Sequence, residues 1–134
     1  MSDITPVGTG AASDDNSYSA LQTKLNVLMK MLDDGATELG SVRASMMGNA
    51  KRCDSTVTAI ENADFDGEFI ELTSLVSTAL VGAAGQVRQL EQGALDMAEE
   101  TRLVRQRHAK KYGPLDAVRS GRRHKTPKPG VFEE

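Results

Sequence analysis

The chain has 134 residues, enough for one domain, but its composition is poor in the side chains that build a compact core. Apolar residues make up 39% of the sequence, aromatic residues make up 4%, and tryptophan is absent. Such a composition disfavours a globular enzyme with a deep core and favours elongated helices, while the net charge of −3 by itself excludes little.

The cysteine content and the N-terminal residues indicate a cytoplasmic protein. The single cysteine, Cys53, has no partner for an intramolecular disulfide, which is typical of a reducing compartment. No basic segment followed by an apolar stretch opens the chain, so we expect no secretory signal. We also expect no membrane span, because no run of about 18 consecutive apolar residues is present.

Residues 1–16 are mostly small and polar, and we expect them to form a disordered arm. A helix should follow, and Ser19 with Gln22 three residues later has the form of a capping box. Apolar side chains then recur every 3.5 residues on average, which is the period of a coiled coil. The predicted seam consists of Tyr18, Leu21, Leu25, Leu28, Leu32, Ala36, Leu39, Val42, Met46, Ala50, Cys53, Val57 and Ile60.

Asn, Asp and Gly cluster in residues 62–67, which predicts a turn, with Asp66 positioned to cap a second helix. The second helix has its own seam of period 3.5, formed by Phe69, Leu72, Val76, Ala79, Ala83, Val87, Leu90, Ala94, Met97, Thr101 and Val104. Two matched seams joined by a short turn predict an all-α fold, an antiparallel two-helix coiled-coil hairpin over residues 17–112.

Six glycines fall inside the predicted helices, at positions 35, 40, 48, 82, 85 and 93. Each costs roughly 1 kcal/mol relative to alanine in a helix interior. The small residues around Gly82 and Gly85 are explained either by close packing inside the hairpin or by a contact between two copies of the chain. Self-association into a dimer or larger oligomer is expected, because an isolated helix pair buries little surface.

Gly113 and Pro114 are expected to end the second helix. Residues 113–134 should then form a short helix of one or two turns, followed by an extended basic tail with two spaced prolines.

The residue pattern predicts no catalytic site, no cofactor and no metal. His108 and His124 lack further ligands at metal-binding spacing, and Cys53 lies on the apolar seam, where a small buried residue is the ordinary role. Adjacent carboxylates such as Asp33 and Asp34 point about 100° apart on a helix and are solvated charges.

Charge is strongly divided along the chain. Residues 1–101 carry sixteen acids and six bases, whereas residues 102–128 carry ten bases and one acid. Separated blocks of charge favour binding to an oppositely charged surface. The basic end is therefore the predicted interaction site, with the candidate residues Arg102, Arg105, Lys110, Lys111, Tyr112, Asp116, Arg119, Arg122, Arg123, Lys125 and Lys128.

Three interpretations of the basic end remain open. It binds an acidic protein surface, it contacts nucleic acid phosphates without sequence preference, or it is a solvated helix end favoured by the helix dipole. Only Tyr112 and Phe132 lie nearby as aromatic platforms, which disfavours single-stranded nucleic acid.

Several stretches of the chain carry a resemblance to known proteins: Asn16-Ser17-Tyr18, Phe69-Ile70-Glu71-Leu72-Thr73, the stretch from Val81 to Arg88, and the basic end with His108-Ala109, Tyr112, Leu115-Asp116, Val118-Arg119-Ser120, Arg122-Arg123 and Thr126-Pro127-Lys128-Pro129-Gly130. Through these stretches, most of the chain resembles small helical proteins of actinomycete plasmids and integrative elements that are labelled conjugal transfer proteins. The resemblance implies a genetic setting and supplies no enzymatic role.

A weaker resemblance links the chain to helical hairpins exported by the type VII secretion system. Those proteins carry Tyr-x-x-x-Asp/Glu just past the second helix, where Tyr112 and Asp116 match, but their Trp-x-Gly turn is not matched. Both resemblances imply an FtsK-like ATPase as a partner. The expected function is a cytoplasmic, non-enzymatic accessory or adaptor in conjugal transfer. The alternatives are a secreted type VII substrate and a non-specific nucleic-acid-binding protein.

Overall fold

A computed structural model describes residues 16–122, and the expectations for the N-terminal arm and for the extended tail lie outside these residues. Two helices form an antiparallel hairpin: α1 spans Tyr18–Asn62 and α2 spans Gly67–Ser120. The predicted all-α coiled-coil hairpin is confirmed. At 1.5 Å per residue, α2 is about 80 Å long.

The start of α1 lies two residues before the predicted capping box. Ser17, not Ser19, is the N-cap, and its hydroxyl oxygen accepts a hydrogen bond from the backbone N–H of Ala20 at 3.2 Å. Ser19 lies inside the helix, where its carbonyl accepts from Thr23. The side chain of Ser17 therefore satisfies one of the N–H groups that the first turn leaves open.

The turn lies where the Asn, Asp and Gly cluster predicted it. Asp64 has a φ of 53°, in the left-handed region. Its N–H donates to the carbonyl of Glu61, and the N–H of Phe65 donates to the carbonyl of Ile60, which is the hydrogen-bond pattern of a Schellman motif. Asp66 is the N-cap of α2, as predicted, although its side chain makes no capping hydrogen bond.

The interface of α1 follows the predicted period, with a small change of phase. Buried and half-buried positions recur every three or four residues from Tyr18 to Ile60, but Met29 and Arg43 replace Leu28 and Val42, which are 44% and 46% exposed. The period of 3.5 is confirmed, because it keeps one stripe of α1 against α2 along the whole hairpin.

The predicted seam of α2 is right at Ala83, Val87, Ala94 and Thr101, which are half-buried, and is displaced by about one residue at its other positions. The residues that face α1 include Ser77, Leu80, Ala84, Val87, Glu91, Ala94 and Ala98, whereas Phe69, Leu72, Val76, Leu90, Met97 and Val104 are about half or more exposed. The fully buried apolar residues of the described part are four alanines, Ala36, Ala50, Ala84 and Ala98. Small side chains in these positions allow close packing of the helices, which larger ones would prevent.

The end of α2 also differs from the prediction. The helix continues through Gly113 and Pro114 to Ser120, so no break separates a short helix from the hairpin. Proline removes one backbone hydrogen bond inside a helix. The missing hydrogen bond lies near the end of α2. Tyr18, the first residue of α1, lies beside Gly113, and the last turns of α2 extend past the start of α1.

The glycines are not used for close packing between the helices. A Cβ added at Gly35, Gly48, Gly82, Gly85 or Gly93 would meet no atom within 4 Å. Packing inside the hairpin therefore does not explain the small residues at Gly82 and Gly85. Gly40 is different, because an added Cβ would lie 3.1 Å from Oε1 of Glu91 on α2.

Candidate interaction surface at the basic end

A cluster of aromatic and polar side chains joins the start of α1 to the basic part of α2. The rings of Tyr18 and His108 are stacked, with centroids 5.3 Å apart and an angle of 12° between their planes. The ring of Tyr112 also contacts His108, with centroids 5.0 Å apart and an angle of 46° between the planes. The three rings attach the N-terminus of α1 to α2 just before the last turns of the longer helix.

Gln22 completes this cluster through hydrogen bonds at both ends of its amide. Its Nε2 donates to the backbone carbonyl of Arg105 at 3.1 Å and lies 3.0 Å from Nδ1 of His108. Its Oε1 accepts from Nε of Arg105 at 3.1 Å. Because an amide nitrogen only donates, the contact with Nδ1 of His108 is a hydrogen bond in the tautomer that leaves Nδ1 without a proton.

The cluster changes the role of two predicted interaction residues. Arg105 is half-buried and bonded to Gln22, so it holds the two helices together. Arg102 pairs with Glu99 in an exposed bidentate contact, with distances of 2.5 and 2.7 Å. The hydrogen bond from Arg102 lowers the pKa of Glu99. Two of the candidate charges are therefore already matched within the chain.

The exposed bases lie farther along α2. Arg107, Lys110, Lys111, Arg119 and Arg122 are all exposed. The ammonium group of Lys111 lies over the ring of Tyr112, 5.4 Å from its centroid. These side chains surround the end of the hairpin with positive charge, as the sequence predicted. Arg123, Lys125 and Lys128 lie outside the described residues.

A shallow polar groove of about 460 Å³ lies beside the cluster, on the same end of the hairpin. Asp116 is half-buried and lines this groove together with Tyr18, Gln22 and Arg105. Tyr112 and Asp116 lie one turn apart on a continuous helix, not in a segment beyond it. Within residues 16–122, no group of three or more His, Cys, Asp or Glu side chains is arranged to hold a metal ion.

Sequence reasoning missed Tyr18 and Gln22 as parts of this end. Tyr18 was assigned to the apolar seam and Gln22 to a capping box, whereas both contact the basic part of α2. The signal that could have found them is the hairpin register. A turn at residues 62–67 brings residue 18 beside residues 108–112.

One property of α2 bears on membranes. By length and composition alone, α2 is long and apolar enough to cross a bilayer, and 11% of its most apolar window is buried in the hairpin.

A search of protein-family models, a search of curated proteins and a search of solved structures each found no match to the chain.

Proposed function

We propose that the protein is a non-enzymatic accessory or adaptor whose basic end binds an acidic surface of a partner protein. The observation that carries this proposal is the concentration of exposed bases on the part of α2 that reaches and passes the start of α1. Arg119 and Arg122 lie at the tip, where a partner can approach from several sides.

The dipole of α2 accounts for only a part of this charge. Cations near a helix C-terminus are favoured, and Arg119 lies in the last turn of α2. Arg107, Lys110 and Lys111 lie two or more turns earlier, where the dipole has little effect. A binding role gives these charges a function that the helix dipole does not.

The proposed setting is conjugal plasmid transfer in an actinomycete, with an FtsK-like DNA translocase as the partner. This setting rests on the resemblance of Phe69-Ile70-Glu71-Leu72-Thr73 and of the basic end to plasmid transfer proteins. The geometry adds an exposed Tyr112, 41% accessible, beside the exposed bases, so an aromatic contact can accompany the charges.

The test compares two triple variants that remove the same charge. Lys111→Ser, Arg119→Ser and Arg122→Ser change the basic end, while Lys51→Ser, Arg52→Ser and Arg88→Ser change exposed bases on the body of the hairpin. At about 0.5 kcal/mol for each exposed ion pair, the basic-end variant should bind its partner about tenfold more weakly and lower plasmid transfer. The control variant should not.

Equal effects of the two variants would contradict binding at the basic end. Binding to DNA instead of protein would appear as a linear fall of log affinity with log salt, with a slope of about −0.9 for each phosphate contacted. Recovery of the intact protein from the culture medium of a native host would favour the alternative of a type VII export substrate.

A further inference from the structure

The second helix carries a row of apolar side chains that, except at the half-buried Ala83, is exposed beside α1. Six positions spaced by seven residues form this outer apolar row: Phe69, Val76, Ala83, Leu90, Met97 and Val104. Leu90 and Met97 are 62% and 60% exposed, and Phe69 is 56% exposed. A spacing of seven keeps all six on one stripe of a coiled-coil helix.

The outer apolar row borders the contact between the helices. A shallow groove of about 310 Å³ beside it is lined by Leu25 of α1 together with Met97, Thr101 and Val104 of α2. Leu28 and Val42 of α1 are nearly half exposed and occupy the same heptad position in α1 as the outer apolar row does in α2. In an antiparallel pair, these two rows lie side by side, so Leu28 and Val42 extend the apolar surface. Asp96 and Glu100 also line this groove, so this face of the hairpin has an apolar stripe with acidic residues beside it.

The size of this face matches the requirement of a stable dimer. The outer apolar row runs over 35 residues, or about 50 Å. Two helices packed about 9 Å apart present a face about 18 Å wide, so the area is about 900 Å². A standard protein interface buries about 800 Å² on each partner.

We propose that this face binds a second copy of the chain in a head-to-tail arrangement, forming a four-helix bundle. A two-fold axis midway between Ala83 and Leu90 pairs Phe69 with Val104 of the partner subunit and Val76 with Met97 of the partner subunit. The same axis sets the small Ala83 against the large Leu90 of the partner subunit. Alternation of small and large side chains lets two such rows interdigitate.

Charge favours this arrangement over a parallel one. The turn end of the hairpin carries the exposed acids Glu61, Asp64, Asp66 and Glu68, whereas the other end carries the exposed bases. In the head-to-tail register, Arg107 is level with Asp66 of the partner subunit, at the acidic turn. A parallel dimer would place two basic ends together and two acidic turns together, which costs free energy.

The dimer is independent of the partner proposed above and leaves the bases at the tip of α2 accessible. Arg119 and Arg122 project past the turn of the second copy, so the bundle presents one basic tip at each end. Because oligomeric state is measured on the purified chain, failure of the dimer and failure of partner binding give different results.

The first test is sedimentation of the full chain and of two matched variants. The wild-type chain should sediment at twice its mass of 14.4 kDa at micromolar concentration. Leu90→Glu should shift it to a monomer, and Leu75→Glu should leave the dimer intact. Leu75 is 58% exposed on the same helix. It directly precedes Val76 of the outer apolar row, and because successive residues of a helix point about 100° apart, Leu75 faces away from that row. A monomeric wild type, or equal effects of both variants, overturns the proposal.

Crosslinking keeps the proposal testable if Leu90→Glu unfolds. In a Cys53→Ala background, Phe69→Cys mixed with Val104→Cys should give a crosslinked dimer with a short bifunctional maleimide, and Phe69→Cys alone should not. Efficient crosslinking of Phe69→Cys alone means a parallel dimer and overturns the head-to-tail arrangement. A monomer that floats with vesicles of phosphatidylcholine and phosphatidylglycerol shows that lipid, not a second copy, covers the face.

Discussion

At the scale of single residues, the turn depends on the backbone of Asp64. Its φ of 53° lies in the left-handed region, which costs roughly 1–2 kcal/mol for a residue with a Cβ and less for Asp and Asn. The position is the one that most often holds glycine in a Schellman motif. The hydrogen bonds of the motif are all made by backbone N–H groups. The motif therefore does not require the carboxylate of Asp64.

We therefore expect Asp64→Gly to raise the free energy of unfolding by up to about 1 kcal/mol, because glycine adopts this conformation without strain. Asp64→Ile should lower it by about 1–2 kcal/mol, because a β-branched side chain tolerates positive φ poorly. Urea unfolding followed by circular dichroism measures both. A stability of Asp64→Ile equal to that of the wild type would contradict the assignment of the turn.

Glycines in the helices give a second prediction at this scale. Gly48→Ala should stabilise the hairpin by about 1 kcal/mol, because alanine is the better helix former and its Cβ meets open space. Gly40→Ala should gain less. Its Cβ displaces the carboxylate of Glu91, which accepts a hydrogen bond from Nε of Arg43 at 3.1 Å. Equal gains in chemical denaturation would show that the Arg43–Glu91 pair contributes nothing.

At the scale of the helices, an alanine core raises the question of what fixes the register. Ala36 and Ala50, like Ala84 and Ala98, are 14 residues apart, so sliding one helix by two heptads would place one alanine where the other had been. Three polar contacts at different heights oppose such a shift. Gln22 binds Arg105, Arg43 binds Glu91, and the hydroxyl of Ser77 donates to Asp54 at 2.6 Å. Each contact would be broken by a shift, so polar residues specify the alignment that alanine leaves open.

The tightness of this core predicts the effect of a larger side chain. Ala84 is 3% exposed, and Ala84→Leu should destabilise the hairpin by about 1–3 kcal/mol because the helices must separate. Leu75→Ala, on the exposed side of the same helix, should change the stability by less than about 0.5 kcal/mol. A smaller loss at Ala84 than at Leu75 in thermal unfolding would contradict the assigned phase of α2.

The sequence was sufficient to predict both helices, their period and the turn, because the spacing of apolar residues and the Asn, Asp and Gly cluster carry that information locally. It was not sufficient for the phase of α2. Two adjacent stripes of α2 are compatible with a seam, and the larger side chains, such as Phe69 and Leu90, indicated the wrong one. Which stripe faces α1 depends on the distance between the helix axes. The small alanine side chains set that distance, because they allow the helices to approach closely.

The candidate site was predicted in part for a similar reason. A count of charges located the basic end, but it treated all bases as equivalent. The structure separates Arg105, bonded to Gln22, and Arg102, paired with Glu99, from exposed bases such as Lys110 and Arg119. These distinctions depend on contacts across the hairpin and on helix facing, which a charge count does not contain.

At the scale of the whole molecule, folding and self-association should be coupled. Among the described residues, no large side chain is fully buried in the isolated hairpin, so an isolated pair of helices lacks most of the burial that stabilises a domain. We expect the melting temperature of the wild type to rise with protein concentration. Each tenfold increase in concentration stabilises the folded dimer against unfolding by about 1.4 kcal/mol. Calorimetry at several concentrations measures it, and the monomeric Leu90→Glu variant should show no dependence.

The length difference between the helices has a further consequence for local opening. Residues 114–120 of α2 extend past the first residue of α1, and Pro114 removes one of the hydrogen bonds that hold them. So short a helical segment is marginal in water by itself. Its amide protons should exchange with solvent far faster than those near Ala36 or Ala98, and a ligand that binds the tip should slow them. Amide exchange would thus report occupancy of the tip even before the ligand has been identified.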